Sequence, residues 1–317
     1  MLYMTVNDVK GVGAKTAEKL EDNGITDIKA LAMTSEDVLV EDIGLGEGTA
    51  KKILSNAREQ LKTHGTGFTR GDTMDENQNQ LDKITTGSDN FDSILGGGVP
   101  CEYITEFYGK NSSGKSQTMM SLAVNVQLPK EKGGLDKGSV VIDTESAVLT
   151  ERIREIATAK GLDPGEVLED TYIAQTIDSN DLADKVKEAK NLCSQEDIGI
   201  VIIDSISSHY RAEYAGREEL TERQDSIGEV IKDLKELIRT QGVAVAYTNQ
   251  VYQNPGGGYG DNTIAWGGNI IGHNSTFRVY LQDRQSNGWN AKLMDSPGLA
   301  QQDVYFDIDE QGVKDVE

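Results

Sequence analysis

A glycine-rich segment between a predicted strand and a predicted helix restricts the fold of this chain more than any other feature. Apolar residues at 103–108 indicate a short strand, and a helical pattern follows at 117–127. The segment between them matches G-x-x-x-x-G-K-[S/T], a motif that requires this strand, loop and helix context. It consists of Gly109, Lys110, Asn111, Ser112, Ser113, Gly114, Lys115 and Ser116. The pattern predicts a P-loop that binds a nucleoside triphosphate.

Each part of this loop has a chemical role in the predicted site. Backbone N–H groups from Gly109 to Gln117 cradle the phosphates, and Lys115 reaches the β- and γ-phosphate oxygens. The hydroxyl of Ser116 is a ligand for Mg²⁺. The loop therefore predicts a triphosphate and Mg²⁺ as ligands.

Two further predicted strands, at residues 139–143 and 199–204, lead into acids. We expect Asp204 to lie beside the P-loop and to hold Mg²⁺ through water. Glu145 is expected to orient and deprotonate the attacking water. An acid after a strand also caps helices or lies in solvated loops, and spacing alone leaves that alternative open for both residues.

Strand patterns also occur at residues 243–248 and 276–281. Strands that alternate with helices predict an α/β fold with a mostly parallel, doubly wound sheet and ligands at its carboxyl edge. Asn249 and Gln250 lie at that edge. The sequence thus places polar side chains where a bound nucleotide is expected.

Residues 254–268 form a glycine-rich segment after this edge. The segment contains Tyr259 and Trp266, no Lys or Arg, and one acid, Asp261. Long loops in compact domains are commonly functional, and aromatic side chains suit base stacking on single strands. A disordered surface loop is the alternative.

The first sixty residues contain an internal repeat, G-h-G-x-x-T-A-x-K-h, in which h is aliphatic. One copy begins at Gly11 and Gly13, and the other at Gly44 and Gly46. Paired glycines permit a tight turn before a helix, and N–H groups at such a helix start bind phosphate oxygens. The repeat resembles helix-hairpin-helix DNA-binding units. A helical bundle that serves protein interactions stays the alternative, because Glu47 stands beside the second turn.

These patterns divide the chain into three predicted parts. Residues 1–62 form the helix-hairpin-helix domain, residues 63–80 form a polar linker, and residues 81–317 form the ATPase core. Phe68 is an isolated aromatic residue in the linker. Composition alone leaves open whether its side chain packs on its own domain or on a neighbour.

The charge of the chain argues against a nucleic-acid partner. The net charge is −22, whereas DNA-binding proteins usually display a basic surface. Extra carboxylates also maintain solubility in a salty cytoplasm. We find no membrane span and no signal peptide, and Cys101 and Cys193 form no metal motif. These features predict a cytoplasmic protein with two reduced thiols.

The order of motifs along the chain resembles the archaeal RadA recombinases, relatives of bacterial RecA. The resemblance covers nearly the whole length and implies a RecA-type core behind a small all-α helix-hairpin-helix domain. It also implies ATP as the nucleotide. The matching segments are residues 85–98, 109–117, 126–129, 142–145, 151–157, 161–168, 204–217, 222–224, 248–251 and 295–297.

The resemblance also implies roles in binding DNA. The loop that contains Arg211, Arg217 and Arg223 matches the first DNA-binding loop of the family. Residues 252–266, with Tyr259 and Trp266, match the second. Single-stranded and double-stranded DNA are therefore the expected partners.

Four other positions match residues that act on the nucleotide or between subunits. Gln250 matches the glutamine that couples the γ-phosphate to the second DNA loop, and His273 matches a histidine that senses the same phosphate. Phe68 matches the linker residue that inserts into the next protomer. Asp295 begins a segment that resembles the cap placed over a neighbour's ATP. A head-to-tail contact of this kind produces a helical filament, or a ring if it closes.

Three positions depart from the family pattern. Gly71 stands where the linker motif has alanine, Leu149 where the family has arginine, and Ala300 where the ATP cap has proline. The last two flank adenine in the family, so we expect weaker or less selective base contacts with the triphosphate contacts kept. The second DNA loop also lacks the family's basic residues.

The resemblance implies an ATP-dependent DNA strand-exchange recombinase that forms filaments on single-stranded DNA for recombination and repair. A recombination mediator of the same fold, without strand exchange, is the main alternative. A hexameric helicase or regulatory ATPase is a third. We expect Lys115, Glu145 and Gln250 to perform the chemistry in the recombinase.

Overall fold

The computed structural model describes residues 5–64, 69–214, 220–253, 263–284 and 288–316. Three predicted functional residues, Phe68, Arg217 and Tyr259, lie outside the described residues. The chain divides into two compact units. One comprises Met1–Leu81, Lys190–Glu196 and Glu236–Gly242, and the other comprises the remaining residues.

The first 81 residues are helical where they are described. A 3-10 helix (Val6–Asp8) precedes α1 (Ala14–Glu21), α2 (Ile28–Met33), α3 (Glu36–Glu41), α4 (Glu47–His64) and α5 (Gly71–Asn79). Their core is aliphatic, and its fully buried members include Leu20, Ile25, Leu31, Leu39 and Ile53. Within the predicted linker, α5 contributes no buried residue. The domain boundaries at residues 62 and 80 stay predictions.

Both copies of the internal repeat fold in the same way. Gly11 and Gly44 have positive φ angles of 95° and 67°, which glycine adopts without a steric penalty. The carbonyl oxygens of Gly13 and Gly46 accept bonds from the N–H groups three and four residues later, at 2.8 and 2.9 Å in each copy. The predicted glycine turn before each helix is confirmed.

The second unit is built on a large sheet. The strands of this unit are β1 (Lys83–Ile84), β2 (Val99–Pro100), β3 (Ile104–Gly109), β4 (Gly138–Asp143), β5 (Thr171–Gln175), β6 (Ile198–Asp204), β7 (Ala244–Asn249), β8 (Val251–Gln253), β9 (Thr263–Ala265), β10 (Phe277–Asp283), β11 (Trp289–Asp295), β12 (Asp303–Asp309) and β13 (Gly312–Asp315). Within the described ranges, nine of them form one sheet in the order β13-β12-β11-β10-β3-β7-β6-β4-β5. In this spatial order, the pairs from β5 through β4, β6, β7 and β3 to β10 are parallel. The pairs from β10 through β11 and β12 to β13 are antiparallel.

Helices follow β3, β4, β5 and β6 of this sheet and also occur elsewhere after residue 81. They are α6 (Asp89–Ile94), α7 (Lys115–Asn125), a 3-10 helix (Lys130–Lys132), α8 (Thr150–Ala159), α9 (Pro164–Glu169), α10 (Ser179–Gln195), α11 (Ser208–Glu213), α12 (Leu220–Gln241) and α13 (Gly268–Gly272). Every residue of β3, β4, β6 and β7 is buried, as expected for parallel strands covered on both faces. The predicted mostly parallel α/β fold is confirmed.

The predicted strands differ from the observed ones by one or two residues at their ends. The predicted helix at 117–127 begins earlier, at Lys115. The sequence patterns did not indicate β5 or the antiparallel strands β11 to β13. Parallel pairing brings the carboxyl ends of β3, β4, β6 and β7 to one edge of the sheet. The P-loop follows β3 at this edge, and the residues that follow β4, β6 and β7 lie beside it.

Both cysteines are free thiols, as predicted. Burial raises the pKa of Cys101 and of Cys193 to about 12, so both thiols stay protonated at neutral pH. Among the helices in the described ranges, none has the length and apolar character to cross a membrane.

Candidate functional site

The loop between β3 and α7 has a backbone that two glycines permit. Gly114 has a φ of 90° and directly precedes α7. A Cβ atom at Gly109 would lie 2.3 Å from the carbonyl oxygen of Leu281. One at Gly114 would lie 3.0 Å from Ile308 and 3.1 Å from Trp289. A side chain at Gly109 would collide with the neighbouring strand, and one at Gly114 would be strained as well as crowded.

The ammonium group of Lys115 lies against the carbonyl oxygens of this loop. Its Nζ donates to the carbonyl of Gly109 at 3.1 Å and to that of Lys110 at 2.8 Å. Burial lowers the pKa of Lys115, while the nearby carboxylates of Asp204 and Glu145 oppose this shift. The ammonium group of Lys115 therefore places a positive charge beside the N–H groups of the loop, where the β- and γ-phosphates of a nucleotide are expected.

Asp204 and Ser116 place two oxygen donors beside Lys115. Asp204 ends β6 and is 3% exposed. Burial raises the pKa of its carboxyl group, while hydrogen bonds from Thr248 and Ser116 act in the opposite direction. Mg²⁺ prefers such hard oxygen donors and uses one or two carboxylates together with substrate phosphates. The described residues contain no cluster of three or more His, Cys, Asp or Glu side chains able to hold a metal ion. The pair fits Mg²⁺.

The turn after β4 is organised by Asp143, which sequence analysis treated only as the end of a strand. Its buried carboxylate accepts hydrogen bonds from the N–H groups of Glu145, Ala147 and Val148, at 3.2, 3.1 and 3.1 Å. Carboxylates that bond to the backbone two residues later are typical of tight turns. That tendency was the available sequence signal. Asp143 thus fixes the backbone that carries Glu145.

The carboxylate of Glu145 joins three neighbouring strands. Its Oε1 accepts from the hydroxyl of Ser205, which follows β6, and from the Nε2 of Gln250, which follows β7; both distances are 2.7 Å. Glu145 is solvent-exposed. The geometry therefore presents a fixed, solvent-accessible carboxylate near Lys115 and Asp204, which suits a group that orients water.

We predict that Asp143→Asn slows ATP turnover about 10-fold, because an amide offers one acceptor oxygen instead of two and a lost bond to a charged group is worth about 1.5–3 kcal/mol. KM for ATP should stay within about two-fold of wild type, since the P-loop does not depend on this turn. Steady-state phosphate release at varied ATP measures both constants.

Asp163→Asn is the matched control for this prediction. Asp163 caps α9 by accepting from two N–H groups, at 2.7 and 3.2 Å, so the same change weakens a similar cap away from Glu145. Equal rate losses in the two variants would contradict a positioning role for Asp143.

The segment predicted as the second DNA loop begins and ends as a two-stranded ribbon. β8 pairs with β9, so Val251 lies opposite Ala265. The N–H of Trp266 donates to the carbonyl of Gln250 at 2.9 Å, and the side chain of Asn249 donates to the carbonyl of Trp266 at 2.8 Å. Gln250, whose side chain contacts Glu145, therefore also closes the base of this ribbon through its backbone carbonyl.

Two predicted DNA-binding residues come together here, and Arg223, which was expected on the first DNA loop, lies on a helix. The guanidinium of Arg223, in the first turns of α12, lies 4.8 Å from the ring centroid of Trp266. No hydrogen-bond partner for the Arg223 Nε occurs among the residues that the structure describes. Arg211 is exposed at the end of α11. The pairing of Arg223 with Trp266 supplies both a charge and an aromatic face.

A cavity of about 170 Å³ adjoins the P-loop. Its lining includes neither His273, which is exposed after α13, nor Asp295, which is exposed at the end of β11. Leu149, at the family's arginine position, is 60% exposed. The lining residues are Ser112, Ser113, Gly114, Lys115, Ser116, Gln117, Trp289 and Ile308. Sequence reasoning missed the last two, which come from strands that it did not predict.

Comparison with known proteins identifies both parts of the chain. Residues 77–316 match the family described as Rad51, and residues 3–59 match the SAM-like helix-hairpin-helix tandem. A protein of Aeropyrum pernix named "DNA repair and recombination protein RadA" is 39% identical over 312 residues, 98% of this chain and 97% of that protein. A protein of Ignicoccus hospitalis with the same name is 39% identical over 318 residues, 99% of this chain and 96% of that protein. The resemblance found in the sequence is thus confirmed, and the chain belongs to the Rad51 family, with a tandem helix-hairpin-helix at its N-terminal end.

Proposed function

We propose that this protein is an ATP-dependent DNA strand-exchange recombinase that assembles as a filament on single-stranded DNA during recombination and repair. The hydrogen bond between Gln250 and Glu145 carries the proposal. Gln250 joins the nucleotide side of the sheet edge to the ribbon that begins at Val251. A change at the γ-phosphate is thereby transmitted to the DNA-binding segment.

The proposed chemistry assigns one task to each residue at the edge. Lys115 neutralises charge on the β- and γ-phosphates, and Ser116 with Asp204 holds Mg²⁺. When bound, Mg²⁺ supplies further positive charge to the phosphates. Glu145 orients and deprotonates the attacking water, with Gln250 and Ser205 holding its carboxylate. His273 senses the same phosphate.

The remaining nucleotide contacts and the subunit contacts extend this proposal. The backbone of the P-loop, from Gly109 through Asn111 to Gln117, cradles the phosphates. Asp295 caps the ATP of a neighbouring protomer, and Phe68 anchors that neighbour. A head-to-tail interface that does not close extends into an open helix, so the proposed assembly is a helical filament. The proposed location is the cytoplasm.

DNA is held by two kinds of contact in this proposal. Arg211, Arg217 and Arg223 contact phosphates, while Tyr259 and Trp266 stack on bases. In the N-terminal domain, the helix starts after the glycine pairs bind phosphate oxygens. Those glycines are Gly11, Gly13, Gly44 and Gly46. Few basic residues take part, so we expect affinity to depend only weakly on salt.

The mediator alternative is not favoured. The relatives named as recombination proteins align over at least 96% of their own length. This chain also retains Glu145 and its two hydrogen-bond donors, which a protein that only binds nucleotide does not need.

Strand exchange between homologous DNA molecules tests the proposed function. Purified protein, Mg²⁺-ATP and circular single strands are mixed with homologous linear duplex from low to molar salt, and heterologous duplex is the control. We expect joint molecules with homologous DNA only, and helical filaments by electron microscopy. Absence of both products at every salt concentration would reject the proposal.

We predict that Trp266→Leu weakens binding to single-stranded DNA about 10-fold, because one base–aromatic stack contributes about 1–3 kcal/mol. The slope of log K against log salt should not change, since no phosphate contact is lost. Fluorescence anisotropy of a labelled oligonucleotide over a salt series measures both quantities.

Arg211→Ala is the comparison variant for this experiment. It should lower the slope by about 0.7 for one phosphate contact on a single strand. A Trp266→Leu protein that altered the slope but kept its affinity would argue against stacking.

A further inference from the structure

Trp289 and Ile308 form an apolar wall beside the P-loop. Both line the cavity of about 170 Å³ whose other lining residues run from Ser112 to Gln117. They come from β11 and β12, which are antiparallel neighbours. The cavity therefore has a polar side made by the phosphate-binding loop and an apolar side made by the C-terminal strands.

The indole of Trp289 is held in place by its surroundings. Its backbone pairs with that of Phe306 across β11 and β12, and the two rings lie 6.5 Å apart. Ile308 and Trp289 both approach Gly114 so closely that a Cβ atom there would lie 3.0 and 3.1 Å from them. The indole thus lies at a fixed position against the turn that starts α7.

The Nε1 of Trp289 is a buried hydrogen-bond donor. Among the described residues no hydrogen-bond partner for it exists, and the atom lies 3.4 Å from the Cβ position built at Gly114. An indole N–H is only a donor, and buried donors are almost always paired. A ligand in this cavity that brings an oxygen acceptor would satisfy it.

The side chain of Gln117, which also lines the cavity, already has a hydrogen-bond partner. The Oε1 of Gln117 accepts from the Nε of Arg152 at 2.8 Å. Arg152 also bonds to Glu155 and to the carbonyl of Asp309. Gln117 is therefore fixed in orientation, which leaves the Trp289 N–H as an unused donor on the apolar wall.

We infer that Trp289 is a nucleotide-binding residue of this chain. Its ring, with Ile308, packs against the nucleoside, and its Nε1–H donates to an oxygen of the bound nucleotide. This inference rests on the proposed function, because it concerns the same nucleotide site. It predicts that part of the affinity for ATP comes from Trp289 and Ile308 of the same protomer whose P-loop binds the phosphates.

Tryptophan fluorescence tests this inference directly, because the chain has two tryptophans. In a Trp266→Phe protein, Trp289 is the single tryptophan and is excited selectively over the tyrosines. Titration with Mg²⁺-ATP should change its emission, with a midpoint equal to the Kd found by equilibrium dialysis with labelled ATP. Inorganic triphosphate in place of ATP should give a smaller response if the ring contacts the nucleoside.

Two substitutions in the same background separate the donor from the ring. Trp289→Phe keeps an aromatic ring and removes the donor, so the dialysis Kd for ATP should rise about 5-fold. Trp289→Leu removes both, and Kd should rise about 20-fold. Tyr305→Leu is the control, since Tyr305 is 47% exposed on β12 and does not line the cavity.

The outcomes distinguish the inference from the proposed function. Wild-type protein that fails to bind ATP in dialysis would reject the proposed function itself. Normal binding with unchanged Trp289 emission and an unchanged Kd for Trp289→Phe would overturn the inference alone. Circular dichroism and a melting curve check each variant, and the titration of Trp266→Phe decides the matter if Trp289→Leu does not fold.

Discussion

Replacing Glu145 with glutamine is expected to slow ATP hydrolysis by about 10²–10⁴-fold, the contribution typical of a general base. The amide has the size of the carboxylate, and its oxygen still accepts from Ser205 and Gln250, which are both 2.7 Å from Oε1. It has no basicity, so it orients water without taking its proton. The Kd for Mg²⁺-ATP should therefore stay within about two-fold of wild type.

DNA-stimulated phosphate release measures the rate, and equilibrium dialysis measures the affinity. Glu151→Gln is the matched control, since Glu151 is an exposed acid in the first turn of α8 and undergoes the same change in charge. We also expect Glu145→Gln filaments to persist on DNA, if hydrolysis releases the protein in the proposed cycle. A rate within about three-fold of wild type would mean that another group activates the water.

The parts of the site that could be predicted from sequence are encoded by residues close together in the chain. Gly109 and Gly114 specify the loop through local backbone geometry, and the strand and helix beside them follow from short patterns. Asp204 and Glu145 were identified because each lies at or just after the end of a buried strand. Parallel pairing of those strands then brings the two residues to one edge.

The parts that were missed depend on contacts between distant residues. Trp289 reaches the P-loop only because β10 pairs with β3 and brings the antiparallel strands that follow it to this side of the sheet. Nothing near Trp289 in the sequence indicates that contact. Asp143 was missed for a different reason, since its side chain serves the backbone of the turn and not a ligand.

Glu106→Leu is expected to lower the free energy of unfolding by about 3–5 kcal/mol, because it removes one partner of a buried ion pair. Glu106 lies in β3 with 0% exposure, and its Oε2 accepts from the Nε of Arg278 at 2.6 Å. Arg278 is 21% exposed along its side chain. Without the carboxylate, a mostly buried guanidinium loses its counter-charge.

Urea denaturation followed by circular dichroism measures this loss. Asp82→Asn is the control, because its ion pair with Lys130 is 53% and 60% exposed and such pairs contribute about 0–1 kcal/mol. The double variant Glu106→Leu with Arg278→Leu should regain much of the stability, since replacing both partners of a buried pair by apolar groups is often close to neutral. A double variant no more stable than Glu106→Leu would contradict the assignment.

The second oxygen of Glu106 connects this stability to DNA binding. Oε1 accepts from the side chain of Asn249 at 2.7 Å, and the same amide donates to the carbonyl of Trp266 at 2.8 Å. The Glu106→Leu variant therefore leaves Asn249 with one acceptor instead of two and loosens the base of the ribbon that carries Trp266. We expect its affinity for single-stranded DNA to fall together with its stability. The double variant should recover stability without recovering affinity, because it does not restore the Oε1 acceptor of Asn249, and this separates the two roles of one carboxylate.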